Sequence, residues 1–355
     1  MEKKYKLTDE TINVEGKTLY RIESLRDFAD VKRGDKGGYV ENEDNLSHYE
    51  NCWVYDEAMV YGDAEVYDNA KVYDDAVVYD KAIVCGDVIV GGHTKIYGNA
   101  EAYGNAKVYG DAEVFGDAKI CDDAKVYGNA VVSGSAKVYG DAKIRDKAMV
   151  YGNANVYGNA KVYGDAQIYG DAIVCDNAKV YGNTKIYGYA MVFGKAMAYN
   201  NAKVYDNAIV RDKAIVCDDA EVYEYAWIYD NAIVCHNTKI YGNVKIYDKA
   251  VVCDNARIYD NARIYGDAYV YGNARVFGDA MVSDNAEICD NSKVSGCARV
   301  FGDAMVYDNA VVCDDAIVYG DAKIYGNAVV CDDAKVCGDA TITSNSIIRN
   351  DGKDK

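Results

Sequence analysis

The sequence predicts an all-β solenoid: one chain wound as a single-stranded, three-sided parallel β-helix behind a short N-terminal β cap. Three observations predict it. A six-residue unit repeats with almost no interruption, as in VYGNANVYGNAKVYGDAQIYGDA from Val150 to Ala172. There is no proline among the 355 residues, which suits a sheet whose every strand donates its N–H groups. Each unit reads Ala, any residue, Val or Ile, Tyr or Cys, Gly or Asp, then Asn or Asp. Four positions can extend, and the last two tolerate the left-handed backbone of a corner. A fixed short period marks repeat architecture, and a solenoid has no domain-size limit, so the length alone does not imply several domains.

Residues 1–45 do not follow the repeat. KKYKLTDETINV and TLYRIESLRDF read as two extended runs around EGK, a hairpin turn, and DVKRGDKGGYVENED follows. A first coil exposes unpaired backbone, so a nonrepeating cap is expected there. The β-helix is expected over 46–348, and 349–355 form a charged, disordered tail. Parity assigns the faces. Ala and Val of each unit share one side of an extended strand, and the free position and Tyr share the other. The free position carries Lys161, Gln167, Lys179 and many Glu, which cannot line a narrow interior unpaired. Ala and Val therefore point in and the tyrosines point out. A four-residue strand with a two-residue corner makes one side of a polygon, and three such sides make an eighteen-residue coil.

The unit Val156-Tyr157-Gly158-Asn159-Ala160-Lys161 resembles the hexapeptide-repeat family at its aliphatic and small positions and departs from it at Tyr157. The resemblance implies a left-handed coil with three sides. The front end, KYKLTDET, SLRDFADVKRGDKGGYVENEDNLSH and CWVYDEA, is similar to the start of YdcK-type proteins, where the same kind of hexads follows. Those proteins carry an acetyltransferase label because they carry hexads, so what the resemblance implies is an architecture.

The formal net charge of −18 argues for solubility and against nonspecific binding to nucleic acid or an anionic membrane. The chain contains no apolar run long enough to span a bilayer, and a cytoplasmic protein is expected. Most of the twelve cysteines sit where other units carry Tyr, and none forms a CxxC pair, so they read as reduced thiols. The three histidines, His48, His93 and His236, are not clustered in the sequence. No catalytic residue, no metal site and no cofactor is expected. Corner carboxylates such as Asp218, Asp254 and Asp290 read as solvated turn residues, with a weak calcium row as the sharper reading.

Residues eighteen apart should stack, which turns the sequence into a surface map. Tyr151, Tyr169, Tyr187, Tyr205, Tyr223, Tyr241 and Tyr259 form an outward ladder, extended by Phe277. It reads as a stabilising stack or as a platform for a glycan or a partner protein. Lys107, Lys125, Lys143, Lys161 and Lys179 form a basic column beside tyrosines, read as a solvated stripe or a grip for an anionic polymer. Two adjoining faces turn apolar together. One carries Met197, Ile215, Ile233 and Val251 with Tyr199, Cys217, Cys235 and Cys253, and the other carries Ile173, Met191, Ile209 and Trp227 with Phe193 and Tyr229. Such a patch marks an interface. The sequence thus points to a noncatalytic rod that binds a protein partner or itself. The competing readings are a hexapeptide-repeat acyltransferase and an acidic imitator of duplex DNA.

Overall fold

In a computed structural model the chain is described over residues 3–350, so most of the expected tail lies outside the described residues. The fold is an all-β parallel β-solenoid of about 17 turns with three parallel sheets. It divides into two compact units, Met1–Asp176 and Asn177–Lys355.

The first unit begins with three strands: β1 (Tyr5–Val14), β2 (Lys17–Ser24) and β3 (Lys36–Val40). β1 and β2 form an antiparallel hairpin, turned by Glu15 and Gly16, both with positive φ. β3 is the adaptor. It pairs antiparallel with β2 through Tyr20 and Val40, and parallel with Met59–Val60 of the solenoid. The approach is close. A Cβ on Gly37 would lie 2.5 Å from the Val54 carbonyl oxygen, and one on Gly38 would run into that of Ala58. The Gly-Gly pair is thus fixed by contact with the first coil. A short 3-10 turn, Glu43–Asn45, follows. Asn45 is buried and donates to the carbonyls of Gly62 and Ala64, each at 2.9 Å.

One charge in this region breaks the expectation that ions stay outside. Lys4 is fully buried. Its ammonium donates to the carbonyls of Cys52 (2.8 Å) and Tyr49 (3.2 Å) and lies 3.1 Å from the Cys52 sulfur. Burial pulls its pKa down from the ordinary value, because desolvation disfavours the charged form. Arg21 is the second anchor. It donates to Glu10 (2.6 Å), Glu57 (2.7 Å) and the Tyr39 hydroxyl (2.8 Å), and lies 4.3 Å over the Tyr39 ring.

Within each unit the solenoid strands pair in parallel at a step of eighteen residues, as Met59 with Val77 in the first and Met197 with Ile215 in the second. The formal strands are shorter than the four residues expected, most being the free position and its Val or Ile, such as Lys161–Val162. The hydrogen bonding nevertheless continues into the corners. Lys71 donates to Val88, Tyr73 to Val90, and the corner residue Asn69 to Gly86, at 2.8–3.0 Å. The turn closes on itself where Ala70 donates to Tyr67 at 3.3 Å. Each corner's first residue is left-handed, with Asp at φ 49–63° and Gly at φ 61–84°. This is why Gly and Asp alternate there and β-branched residues do not.

The interior is as parity requires. The repeat Val and Ile side chains from Val54 to Ile324 and their Ala partners are essentially solvent-free, including Ala102 and Ala198 at Val positions. Thr94, Thr184, Thr238 and Ser292 take the place of Ala. Each buries a hydroxyl and donates it to the carbonyl three residues earlier, at 2.6–2.8 Å, so no buried polar group is left unmatched there.

Candidate functional site

The outward side chains form columns with a near-constant step. In the first unit Tyr151 and Tyr169 stack with centroids 4.9 Å apart. In the second, Tyr187, Tyr205, Tyr223, Tyr241, Tyr259 and Phe277 form a continuous stack with centroids 4.8–5.1 Å apart and planes within 10° of parallel. The rings are half-buried because each covers its neighbour. Beside this stack runs a column that the sequence reading passed over: Lys185, Lys203, Glu221, Lys239, Arg257 and Arg275, in register strand by strand. Glu221 ties it together, with Lys203 at 2.8 Å and Lys239 at 3.2 Å. The eighteen-residue spacing of these cations was the signal that could have found it. The expected basic column of the first unit is in register through Lys107, Lys125, Lys143 and Lys161. There Arg145 lies 4.5 Å over the Tyr163 ring.

The apolar residues align as well. In the second unit Met197, Ile215, Ile233, Val251 and Tyr269 follow one another in register on one sheet. Met191, Ile209 and Trp227 do so on another. Trp227 and Tyr269 are each 38 % exposed. The aliphatic members, with Phe193, Tyr199, Tyr229 and Cys235, are half-buried. Arg211 lies 4.6 Å over Tyr229, and Lys245 lies 5.6 Å over Trp227. Ile173, in the first unit, pairs with Asn155 and is half-buried. Two of the named residues need correction as surface groups. Cys217 and Cys253 face outward but are buried, because a short thiol beside long side chains is covered by them. Cys253 donates to the Tyr269 hydroxyl at 3.4 Å.

The corner carboxylates need a second correction. They are not merely solvated turn groups. Asp254 accepts from the Gly272 N–H at 3.1 Å and Asp290 from the Asp308 N–H at 3.2 Å, one coil on. Asp218 accepts from the Asn200 side chain at 2.7 Å. The backbone bond made by Asp254 and Asp290 recurs elsewhere, with the Gly86 N–H donating to Asp68 and the Gly164 N–H to Asp146. Each such carboxylate satisfies a backbone donor that the coil geometry leaves without a carbonyl partner. The Asn column does comparable work, as in Asn243 to Asn261 at 3.2 Å and Asn261 to Asp279 at 3.1 Å.

The histidines separate into three settings. His48 stacks on Tyr5 at 4.4 Å and accepts from the Lys4 N–H at 3.3 Å. His93 is exposed beside Asp75, at 3.5 Å. His236 stands at a left-handed corner position, φ 56°, with one ring nitrogen 4.0 Å from Asp218 and the other 3.7 Å from Asp254. The ligand atoms of Cys235, His236 and Cys253 all lie within 4.8 Å of one another, and those of Cys313, Asp314 and Cys331 do the same. Hydrogen bonding to Cys235 pulls the Cys253 thiol down to about 6, and Cys235 itself is pushed up by its bonds to Cys217 and Cys253. The sequence reading weighed a metal only at the separated histidines and the corner carboxylate rows, and took the cysteines as reduced thiols. Here the donors meet across coils. All twelve cysteines are unbridged. Among the described residues, no helix is long and apolar enough to cross a membrane.

Five segments of the chain, residues 124–140, 166–182, 256–272, 268–284 and 298–314, match the family described as the YdcK β-solenoid repeat. No curated protein matches the chain. The matched segments fall on the coils whose register, buried Val column and left-handed corners are described above, so these coils carry a β-solenoid repeat of the YdcK type.

Proposed function

We propose that the protein is a noncatalytic binding scaffold whose outward columns dock another protein surface, a second copy of this chain included. One observation carries the reading: the in-register apolar column Met197–Ile215–Ile233–Val251–Tyr269 beside Met191–Ile209–Trp227. Contiguous outward apolar surface on a strongly acidic chain is what an interface requires. The β-branched and aromatic members of these columns, Ile209, Ile215, Ile233, Val251 and Trp227, also favour it, because stiff side chains lose little conformational entropy when they are covered. The unbridged cysteines support a reducing compartment such as the cytoplasm.

The test is the double substitution Ile215→Lys and Ile233→Lys, which places two ammonium groups in the column without touching the inward Val216 and Val234. Sedimentation of the wild-type chain should show a self-associated species, or a pull-down should recover a protein partner, and the variant should lose it. Wild type and variant that both sediment as monomers and recover the same proteins would overturn the reading.

The aromatic stack with its flanking Lys and Arg column supports a second reading, an anionic polymer or glycan laid along that face. It predicts binding that weakens as salt is raised and is unaffected by the Ile215/Ile233 pair.

A further inference from the structure

The second unit gathers soft ligands at one corner. Cys235 and His236 are chain neighbours, and Cys253 lies one coil on, in the outward position eighteen residues after Cys235. We propose that Cys235, His236 and Cys253 form a binding site for a zinc-class ion, with Asp254 placed to complete or orient it.

Four features support this. The donor set is two sulfurs and an imidazole, the chemistry that selects Zn²⁺ over Ca²⁺ or Mg²⁺. The donor atoms lie within 4.8 Å of one another, so small side-chain rotations bring them to the roughly 2.0–2.3 Å metal–ligand distances such an ion requires. The imidazole is flanked by carboxylates on both sides, Asp254 at 3.7 Å and Asp218 at 4.0 Å. One ring nitrogen can bind the ion while the other is held by a carboxylate, the usual support for a histidine ligand. Finally, Asp254 is already fixed by the Gly272 N–H through Oδ2, which leaves Oδ1 facing the ring.

The left-handed corner explains why the histidine arrives there. Gly and Asp take that position in nearly every other unit, and His236 adopts the same backbone at φ 56°. Its imidazole therefore projects along the edge where the neighbouring coils place their carboxylates. Because the ligands come from two coils, the ion would staple one coil to the next. The cluster of Cys313, Asp314 and Cys331 has the same layout but lacks the imidazole, and serves as an internal comparison.

The experiment titrates the reduced full-length chain with Co²⁺ under nitrogen and then displaces it with Zn²⁺. Wild type should develop a thiolate-to-cobalt charge-transfer band with ligand-field absorption of tetrahedral strength. The Cys235→Ser/Cys253→Ser variant should lose one equivalent of that signal, and Cys313→Ser/Cys331→Ser should keep it. His236→Ala should weaken Zn²⁺ binding about tenfold or more. Serine already stands at the same repeat position in Ser133, Ser283 and Ser295, so the coil accepts these changes, and an unchanged circular dichroism melt without metal verifies it. A wild type without the charge-transfer band, or a band undiminished in Cys235→Ser/Cys253→Ser, would each overturn the proposal.

Discussion

Ile240→Asp tests the inward parity on which the description of both surface and core depends. Ile240 is fully buried and sits between Val222 and Ile258 in register. Removing its side chain from the core forfeits roughly 1.5–3 kcal/mol of burial, and an unmatched carboxyl in its place costs about 1–3 kcal/mol more. The expected loss is therefore about 2.5–6 kcal/mol. Lys239, the preceding residue, faces outward and pairs with Glu221 at 3.2 Å. A partly exposed pair of this kind contributes less than about 1 kcal/mol, so Lys239→Ala should change little. In a repeat protein each coil is stabilised mainly by its neighbours, so the damage should be local. Amide hydrogen exchange is the suitable assay. The strands at Glu221–Val222, Lys239–Ile240 and Arg257–Ile258 should exchange about 10²–10⁴ times faster in Ile240→Asp, at a factor of ten per ~1.4 kcal/mol. The first unit should keep its protection. Equal effects of the two substitutions would refute the parity assignment, and so would an Ile240→Asp protein with wild-type exchange.

Two further predictions concern the corners and the charged column. Gly242 has φ +84°, and a Cβ there would lie 2.5 Å from the Asp260 carbonyl oxygen and 2.8 Å from its nitrogen. Gly242→Ala should cost about 1–3 kcal/mol by strain and contact. Gly16→Ala, at φ +81° with nothing within 4 Å, should cost less, and equal shifts in a denaturant melt would show that the close coil contact is unimportant. For Glu221, burial pushes the carboxyl up, but the bonds to Lys203 and Lys239 outweigh it and hold its pKa below the usual value. Its folded pKa lies below the unfolded one, so the contribution is whole above the ordinary glutamate range and is lost as pH falls through the depressed value. Glu221→Gln should flatten that acid limb, measured as exchange of the Glu221–Val222 strand against pH. A limb of unchanged slope would exclude the triad as its source.

Much of this molecule was legible residue by residue. Parity placed Val150 and Ala154 inside and Tyr151 outside, and the eighteen-residue step put Tyr205 under Tyr223, because every coil obeys the same local rule and the period is never broken. The paired Gly37 and Gly38 were visible as glycines, but their reason was not, since it lies in contacts with Val54 and Ala58 across the first coil. Lys4 gave no sign of burial, because its partners Tyr49 and Cys52 are far along the chain. The corner aspartates looked like turn residues, and their bonds to the next coil depend on the direction in which a left-handed residue aims its side chain.

Period, the inward and outward faces and the stacking partners were determined by the sequence alone, since each follows from short-range pattern repeated at fixed spacing. What only the tertiary structure decided is where side chains of different coils converge: the buried ammonium of Lys4, the Asp254 carboxylate on the Gly272 N–H, and Cys235, His236 and Cys253 at one corner. These depend on side-chain direction and on distances of a few ångströms between coils, which a one-dimensional pattern does not contain.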